Sequence, residues 1–172
     1  MTAEPAMTGD DPFADVLAAN AEHAKSFAQL AAAGVAAKGL ALLTCMDSRI
    51  DPLAMLGLER GDAKILRNAG ARVTDDVLRT LVLASYLLGV NRVMVVAHTG
   101  CRMAGGTEED VHRAITEAGG PDTTSLSFLT TTDQEESLRV DVRRIEAWPY
   151  LKDLAVGGFI YDLSTGSLRR VI

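Results

Sequence analysis

The chain has 172 residues, 48% hydrophobic and 23% charged, as in ordinary globular proteins, and this length suits one domain with a full hydrophobic core. Its formal net charge is −6, so it lacks the basic surface that would attract nucleic acid or an anionic membrane, and neither is expected as a partner. No segment fits a signal peptide or a membrane span, which makes the cytoplasm the expected compartment.

The N-terminal region predicts a helical arm ahead of the main fold. Residues 1–10 are polar and are interpreted as a loose tail. A helical pattern covers residues 11–37, with Asp11 as the expected N-cap. Because this helix is alanine-rich and only mildly apolar, we expect it to pack against something else, such as a second subunit. Residues 38–172 complete a single domain that spans residues 1–172.

Short apolar runs alternate with helical patterns along the rest of the chain. Strands are predicted at 40–44, 63–66 and 91–97, one or two helical turns at 52–58, and helices at 75–88, 107–118 and 133–147. The run "NRVMVVA" is apolar on both faces, which is typical of a parallel strand between layers of helices. The ending "GGFIYDLSTGSLRRVI" predicts a strand, a turn and a strand. The sequence therefore predicts an α/β fold with a mostly parallel central sheet flanked by helices, and a C-terminal β-hairpin.

Reactive side chains follow two of the predicted strands. Cys45, Asp47 and Arg49 occupy alternate positions after the first strand, so in an extended chain they point to one face. His98 and Cys101 follow the most apolar strand. Ligand sites of open α/β sheets lie beyond the carboxyl ends of the strands, so neighbouring strands would bring these groups together. Two thiolates and one imidazole are a common zinc ligand set, which leaves a fourth position for water, substrate or a carboxylate.

These motifs resemble the signature of the β-class carbonic anhydrases, which is C-x-D-x-R, then R-N-A-G, then H-x-x-C. Here they read Cys45-Met46-Asp47-Ser48-Arg49, Arg67-Asn68-Ala69-Gly70 and His98-Thr99-Gly100-Cys101. The resemblance covers roughly residues 38–172. It implies a zinc enzyme that reversibly hydrates carbon dioxide to bicarbonate and a proton, with Cys45, His98 and Cys101 as the zinc ligands. It also implies at least a homodimer, in which the N-terminal helix wraps the partner subunit.

The resemblance also implies roles for the charged residues of the first motif. Zinc lowers the pKa of bound water from about 16 to roughly 7, which supplies hydroxide to attack carbon dioxide. Asp47 either pairs with Arg49 and leaves the fourth zinc position open, or occupies that position and closes the site. We expect Asp47 to orient the zinc-bound water and Arg49 to hold Asp47 by a two-pronged ion pair. Arg67 and Asn68 are expected to serve a turn rather than to contact substrate.

One residue departs from the family pattern, and other functions fit the same ligands. The family commonly has glycine directly after the second cysteine, whereas this chain has Arg102, which can line the pocket, pair with an acid or point to solvent. The same zinc set would suit a hydrolase of carbonyl sulfide or carbon disulfide. It would also suit a catalytically silent binding protein whose zinc is closed permanently by Asp47. A thiol phosphatase is excluded, because the position six residues after Cys45 holds Asp51 instead of arginine.

Overall fold

The computed structural model describes residues 11–29 and 34–172. The chain divides into a short unit, Met1–Ala31, and a larger unit, Ala32–Ile172. None of the helices in the described residues has both the length and the hydropathy that a transmembrane span needs. The predicted loose tail at 1–10 lies outside the described residues.

The N-terminal helix is shorter than the sequence pattern predicted. Helix α1 covers Ala14–Lys25, and its N-cap position is occupied by Phe13 rather than by Asp11. The Asp11 carboxylate instead accepts a hydrogen bond from the backbone N–H of Phe13 at 2.9 Å, in the turn that precedes the helix. No side chain of α1 is buried. Because packing stabilises a helix more than alanine propensity does, the long alanine-rich pattern does not extend it to residue 37.

A five-stranded sheet forms the centre of the larger unit. Its strands are β1 Leu40–Cys45, β2 Ala63–Asn68, β3 Arg92–His98, β4 Ala155–Tyr161 and β5 Leu168–Arg170. The spatial order is β2-β1-β3-β4-β5, with the first four strands parallel and β5 antiparallel to β4. The predicted mostly parallel sheet and the C-terminal hairpin are both confirmed. Since β1 and β3 are neighbours, their carboxyl ends lie side by side.

In its described residues the larger unit has three α-helices, and each begins at a polar N-cap. They are α2 Asp75–Leu87, α3 Glu108–Glu117 and α4 Gln134–Glu146. The side chains of Thr74, Thr107 and Asp133 each accept a hydrogen bond from a backbone N–H three residues later, as the capping pattern requires. Fully buried side chains of β1, β3, α2 and α4 make one continuous core, including Leu43, Val95, Leu78, Leu81, Val142 and Ile145. This core fixes the strand ends that carry the reactive residues.

The segment 128–131, between α3 and α4, is held in place by two charged side chains, Glu108 at the start of α3 and Arg72 in the turn after β2. Glu108 accepts hydrogen bonds from the backbone N–H groups on both sides of Leu129, each at 2.7 Å. Arg72 donates to the carbonyl of Leu129 at 2.7 Å. Between these contacts Leu129 adopts a left-handed backbone with φ of 59°, a conformation that costs an ordinary residue about 1 kcal/mol or more. The next amide, of Thr131, donates to the carbonyl of Met103, so this segment braces the turn after β3.

Candidate metal centre

Three potential metal ligands meet at the carboxyl ends of β1 and β3. Cys45 is the last residue of β1, His98 is the last residue of β3, and Cys101 lies in the turn that follows. Their ligand atoms all lie within 4.8 Å of one another. The exposed fractions of the three residues are 5%, 1% and 7%, so all three are buried in the single chain. The parallel pairing of β1 with β3 therefore brings together residues that are far apart in sequence.

The imidazole of His98 is oriented to offer one nitrogen to a cation. Its Nδ1 lies 3.0 Å from the carbonyl oxygen of Thr99, and because a carbonyl only accepts, Nδ1 carries the proton. Nε2 is then left with a lone pair. Among the described residues, Nε2 has no hydrogen-bond partner although it is buried. An unsatisfied buried acceptor is unfavourable, and a metal ion between Nε2 and the thiols would satisfy it.

The two thiols also fit a cation better than they fit each other. Both cysteines are free, and their sulfur atoms are 4.0 Å apart. Burial raises the pKa of the Cys101 thiol, and the nearby Cys45 adds to this rise. Two thiolates this close require positive charge between them. Sulfur ligands about 2.3 Å from a tetrahedral zinc lie about 3.8 Å apart, so the observed spacing suits that metal.

Asp47 and Arg49 form a two-pronged ion pair beside the cluster. Arg49 Nε donates to one carboxylate oxygen of Asp47 at 2.9 Å, and Arg49 Nη2 donates to the other at 2.6 Å. Hydrogen bonds from Arg49 hold the pKa of the Asp47 carboxyl well below its usual range, so Asp47 is ionised throughout the neutral range. Asp47 Oδ2 lies 3.8 Å from Nε2 of His98. A carboxylate is thus present next to the unsatisfied nitrogen, with both of its oxygens engaged by arginine.

A glycine turn supports the first cysteine from the side of β2. Gly70 donates its backbone N–H to the sulfur of Cys45 at 3.4 Å. Its φ of 77° is left-handed, and a Cβ atom at this position would lie 3.1 Å from Cβ of Met103. The Asn68 side chain holds the turn by accepting from the amide of Arg72 at 2.8 Å and donating to its carbonyl at 2.7 Å. Glycine is therefore required here by both conformation and space.

The structure gives positions to two further residues near the centre. The sequence left the position of Arg102 open and gave no sign of a role for Gln134. Arg102 begins a short 3-10 turn, Arg102–Ala104, and its exposed side chain lies on an open groove of about 450 Å³ along α3. Arg102 therefore lines this groove, directly after the ligand residue Cys101. Gln134 donates its side-chain amide to the carbonyl of His98 at 3.1 Å. Because 36 residues separate that pair, no local pattern could have indicated the contact.

Comparison with known proteins gives consistent matches for the chain. A family model described as carbonic anhydrase matches residues 40–139. Beta-carbonic anhydrase 1 of Mycobacterium tuberculosis is 40% identical over 135 residues, which cover 78% of this chain and 82% of that protein. Carbon disulfide hydrolase of Saccharolobus solfataricus is 39% identical over 153 residues, covering 75% of each chain. The crystal structure of a carbonic anhydrase from Streptococcus mutans superposes with a TM-score of 0.84 at 37% identity, covering 93% of this chain and 97% of that one.

Proposed function

Because this chain belongs to the β-carbonic anhydrase family, we propose that Cys45, His98 and Cys101 bind zinc and that the resulting centre reversibly hydrates carbon dioxide to bicarbonate and a proton. The observation that carries this proposal is the buried Nε2 of His98, which has no hydrogen-bond partner in the described residues and faces two free thiols. Two thiolates, one imidazole and a fourth position form the donor set of a catalytic zinc site.

The charged pair beside the ligands supplies the rest of the proposed chemistry. Zinc in this centre would supply a water nucleophile whose pKa is lowered from 15.7 to about 7. Asp47, ionised and held rigidly by Arg49, accepts the hydrogen bond that orients this nucleophile toward carbon dioxide. Arg49 keeps both carboxylate oxygens engaged, which supports an open fourth position. If Asp47 released Arg49, its carboxylate could occupy that position and close the site.

A stopped-flow assay of carbon dioxide hydration, on protein of measured zinc content, tests this function. We expect turnover to rise with pH between about 6 and 9, because the nucleophile loses its proton in this range. Asp47 does not contribute to the rise, since its lowered pKa keeps it ionised at all these pH values. Zinc-loaded protein that is silent across this range would contradict the proposal and would favour a zinc-stabilised binding protein.

A second candidate activity is the hydrolysis of carbon disulfide or carbonyl sulfide. It is favoured by the carbon disulfide hydrolase of Saccharolobus solfataricus, which is 39% identical to this chain. The ligand set would be the same, so substrate access rather than zinc chemistry would decide between the two activities. Parallel assays with carbon dioxide and carbon disulfide separate them, and a preference for carbon disulfide would overturn our first choice.

We also propose that the chain works in the cytoplasm as a homodimer or a larger homo-oligomer. Support comes from α1 and its N-cap residue Phe13, because the large apolar side chains of Phe13, Val16 and Leu17 are 63%, 57% and 49% exposed in the single chain. A second copy that covers them would remove this apolar surface from water. We expect Leu17→Asp to shift the protein toward monomers in analytical ultracentrifugation and to lower its activity, whereas Ala18→Asp, an exposed control on the opposite face of α1, should change neither. A wild-type protein that is monomeric and fully active would refute the oligomer.

A further inference from the structure

Two carbonyl oxygens in the loop after β1 accept hydrogen bonds from the same guanidinium. Arg67 Nε donates to the carbonyl of Cys45 at 2.9 Å, and Arg67 Nη2 donates to the carbonyl of Asp47 at 2.6 Å. Cys45 belongs to the metal cluster and Asp47 lies next to it, so the Arg67 side chain is hydrogen-bonded to the backbone of both. This contact is distinct from the turn that Asn68 stabilises.

The strand register explains how Arg67 reaches this loop. Thr44 pairs with Arg67 across β1 and β2, and Cys45 pairs with Asn68. One more backbone bond, from the amide of Met46 to the carbonyl of Asn68 at 2.9 Å, extends the ladder past the end of β1. In the described part of the chain, Met46 is the last residue of this loop with a backbone hydrogen bond to β2. Arg67 therefore bridges the point where the backbone ladder stops.

The side chains of Asp47 and Arg49 pair with each other within one short loop. The Arg49 side chain is 60% exposed, and in the described part of the chain its hydrogen bonds go to Asp47, two residues away. The Asp47 carbonyl accepts locally as well, from the amide of Ile50 at 3.1 Å. These hydrogen bonds hold residues 47–50 together as one piece, and the buried side chain of Ile50 packs in one cluster with Cys45 and Cys101. The two bonds from Arg67 tie that piece to the sheet.

We infer that Arg67 is a positioning residue, which sets the distance of Asp47 from the metal centre by holding the carbonyls of Cys45 and Asp47. This inference rests on the proposed function, in which the Asp47 carboxylate orients the nucleophile. The planar guanidinium suits the task, because its fixed N–H groups reach two acceptors at once, whereas the ammonium of lysine is a single point charge. Since Arg67 is exposed, replacing it leaves no cavity in the core.

Arg67→Gln is the informative variant, and Arg92→Gln is its matched control. Arg92 is also exposed and also donates twice to a backbone carbonyl, that of Lys38, at 3.2 and 3.0 Å, but it begins β3 at the opposite end of the sheet. In amide hydrogen exchange on the full chain as purified, we expect the amide of Ile50 to exchange roughly tenfold faster in Arg67→Gln. The Met46 amide should keep its protection, and Arg92→Gln should leave both amides unchanged.

Kinetics of the same variants complete the test. A displaced Asp47 should lower kcat roughly 10- to 100-fold in Arg67→Gln with little change in KM, and Arg67→Lys should restore part of the loss. Unchanged exchange at Ile50 in Arg67→Gln would overturn the inference, as would wild-type kcat in that variant. The wild-type assay alone decides the proposed function. If wild-type protein proves inactive, exchange at Ile50 still decides whether Arg67 anchors the loop.

Discussion

Asp47→Asn is expected to retain its zinc and to lose at least about 100-fold in carbon dioxide turnover. The three proposed ligands are untouched, so metal content should stay at the wild-type level. The amide has no charge and offers one oxygen and one NH2 group. One of the two prongs of Arg49 would then face another donor, and the fixed acceptor beside His98 would be lost. Stopped-flow turnover together with zinc analysis measures both effects.

A second pair on the surface provides the matched control for this substitution. Arg79 donates to Asp76 through Nε at 3.1 Å and Nη2 at 2.5 Å, in the first two turns of α2. Both bonds end on one carboxylate oxygen, but Asp76→Asn removes the same charge from an exposed arginine–aspartate pair and should leave turnover at the wild-type value. Arg49→Ala should resemble Asp47→Asn, because it frees the carboxylate from its orientation. Wild-type turnover in Asp47→Asn would show that the pair has no part in the reaction.

His98→Ala should have the larger effect, because it removes a proposed ligand. The variant keeps two buried sulfur atoms 4.0 Å apart but loses the only imidazole of the cluster. Replacing partners behind a ligand typically weakens metal affinity by about 10- to 100-fold, so removing the ligand should exceed about 100-fold. We expect zinc content to fall to background on dialysis against a chelator, and turnover to fall with it.

The control for this experiment is His23→Ala, since His23 is an exposed histidine of α1. It should retain both zinc and turnover. If His98→Ala kept one zinc per chain after dialysis, the proposed ligand set would be wrong. If it lost zinc while the wild type held zinc without turnover, the site would bind metal but the proposed reaction would fail.

The sheet and the clustering of the metal-ligand residues were predictable from the sequence. Both depend on the local hydrophobic pattern of the strands and on which strands are neighbours. The apolar runs predicted β1 and β3, and parallel neighbours bring Cys45, His98 and Cys101 to one edge. The extent of α1 was not predictable from its alanine-rich pattern. Propensity alone does not set a helix end when no side chain of that helix is buried.

The long-range polar contacts could not be predicted from the sequence pattern either. Arg72 pairs with the buried Asp141 at 2.6 Å, across 69 residues of sequence. Glu108 at the start of α3 resembles an ordinary acidic first turn, yet its carboxylate binds backbone around Leu129. Hydrogen bonds from those amides hold the pKa of Glu108 below its usual value. The folded geometry determines which residues pair in this way, and these pairs leave no periodic pattern in the sequence.

The order of strands has a consequence for how the chain would acquire the proposed zinc. Chain order is β1, β2, β3, but β1 lies between the other two, so the chain must cross β1 after β2 to place β3 on its other side. Cys45 and Cys101, 56 residues apart, meet only when that late, long-range pairing is complete. A nascent chain that ends before β3 holds a single cysteine and no site. Metal content should therefore report the fraction of molecules that have finished folding, and metallation should follow folding instead of guiding its first steps.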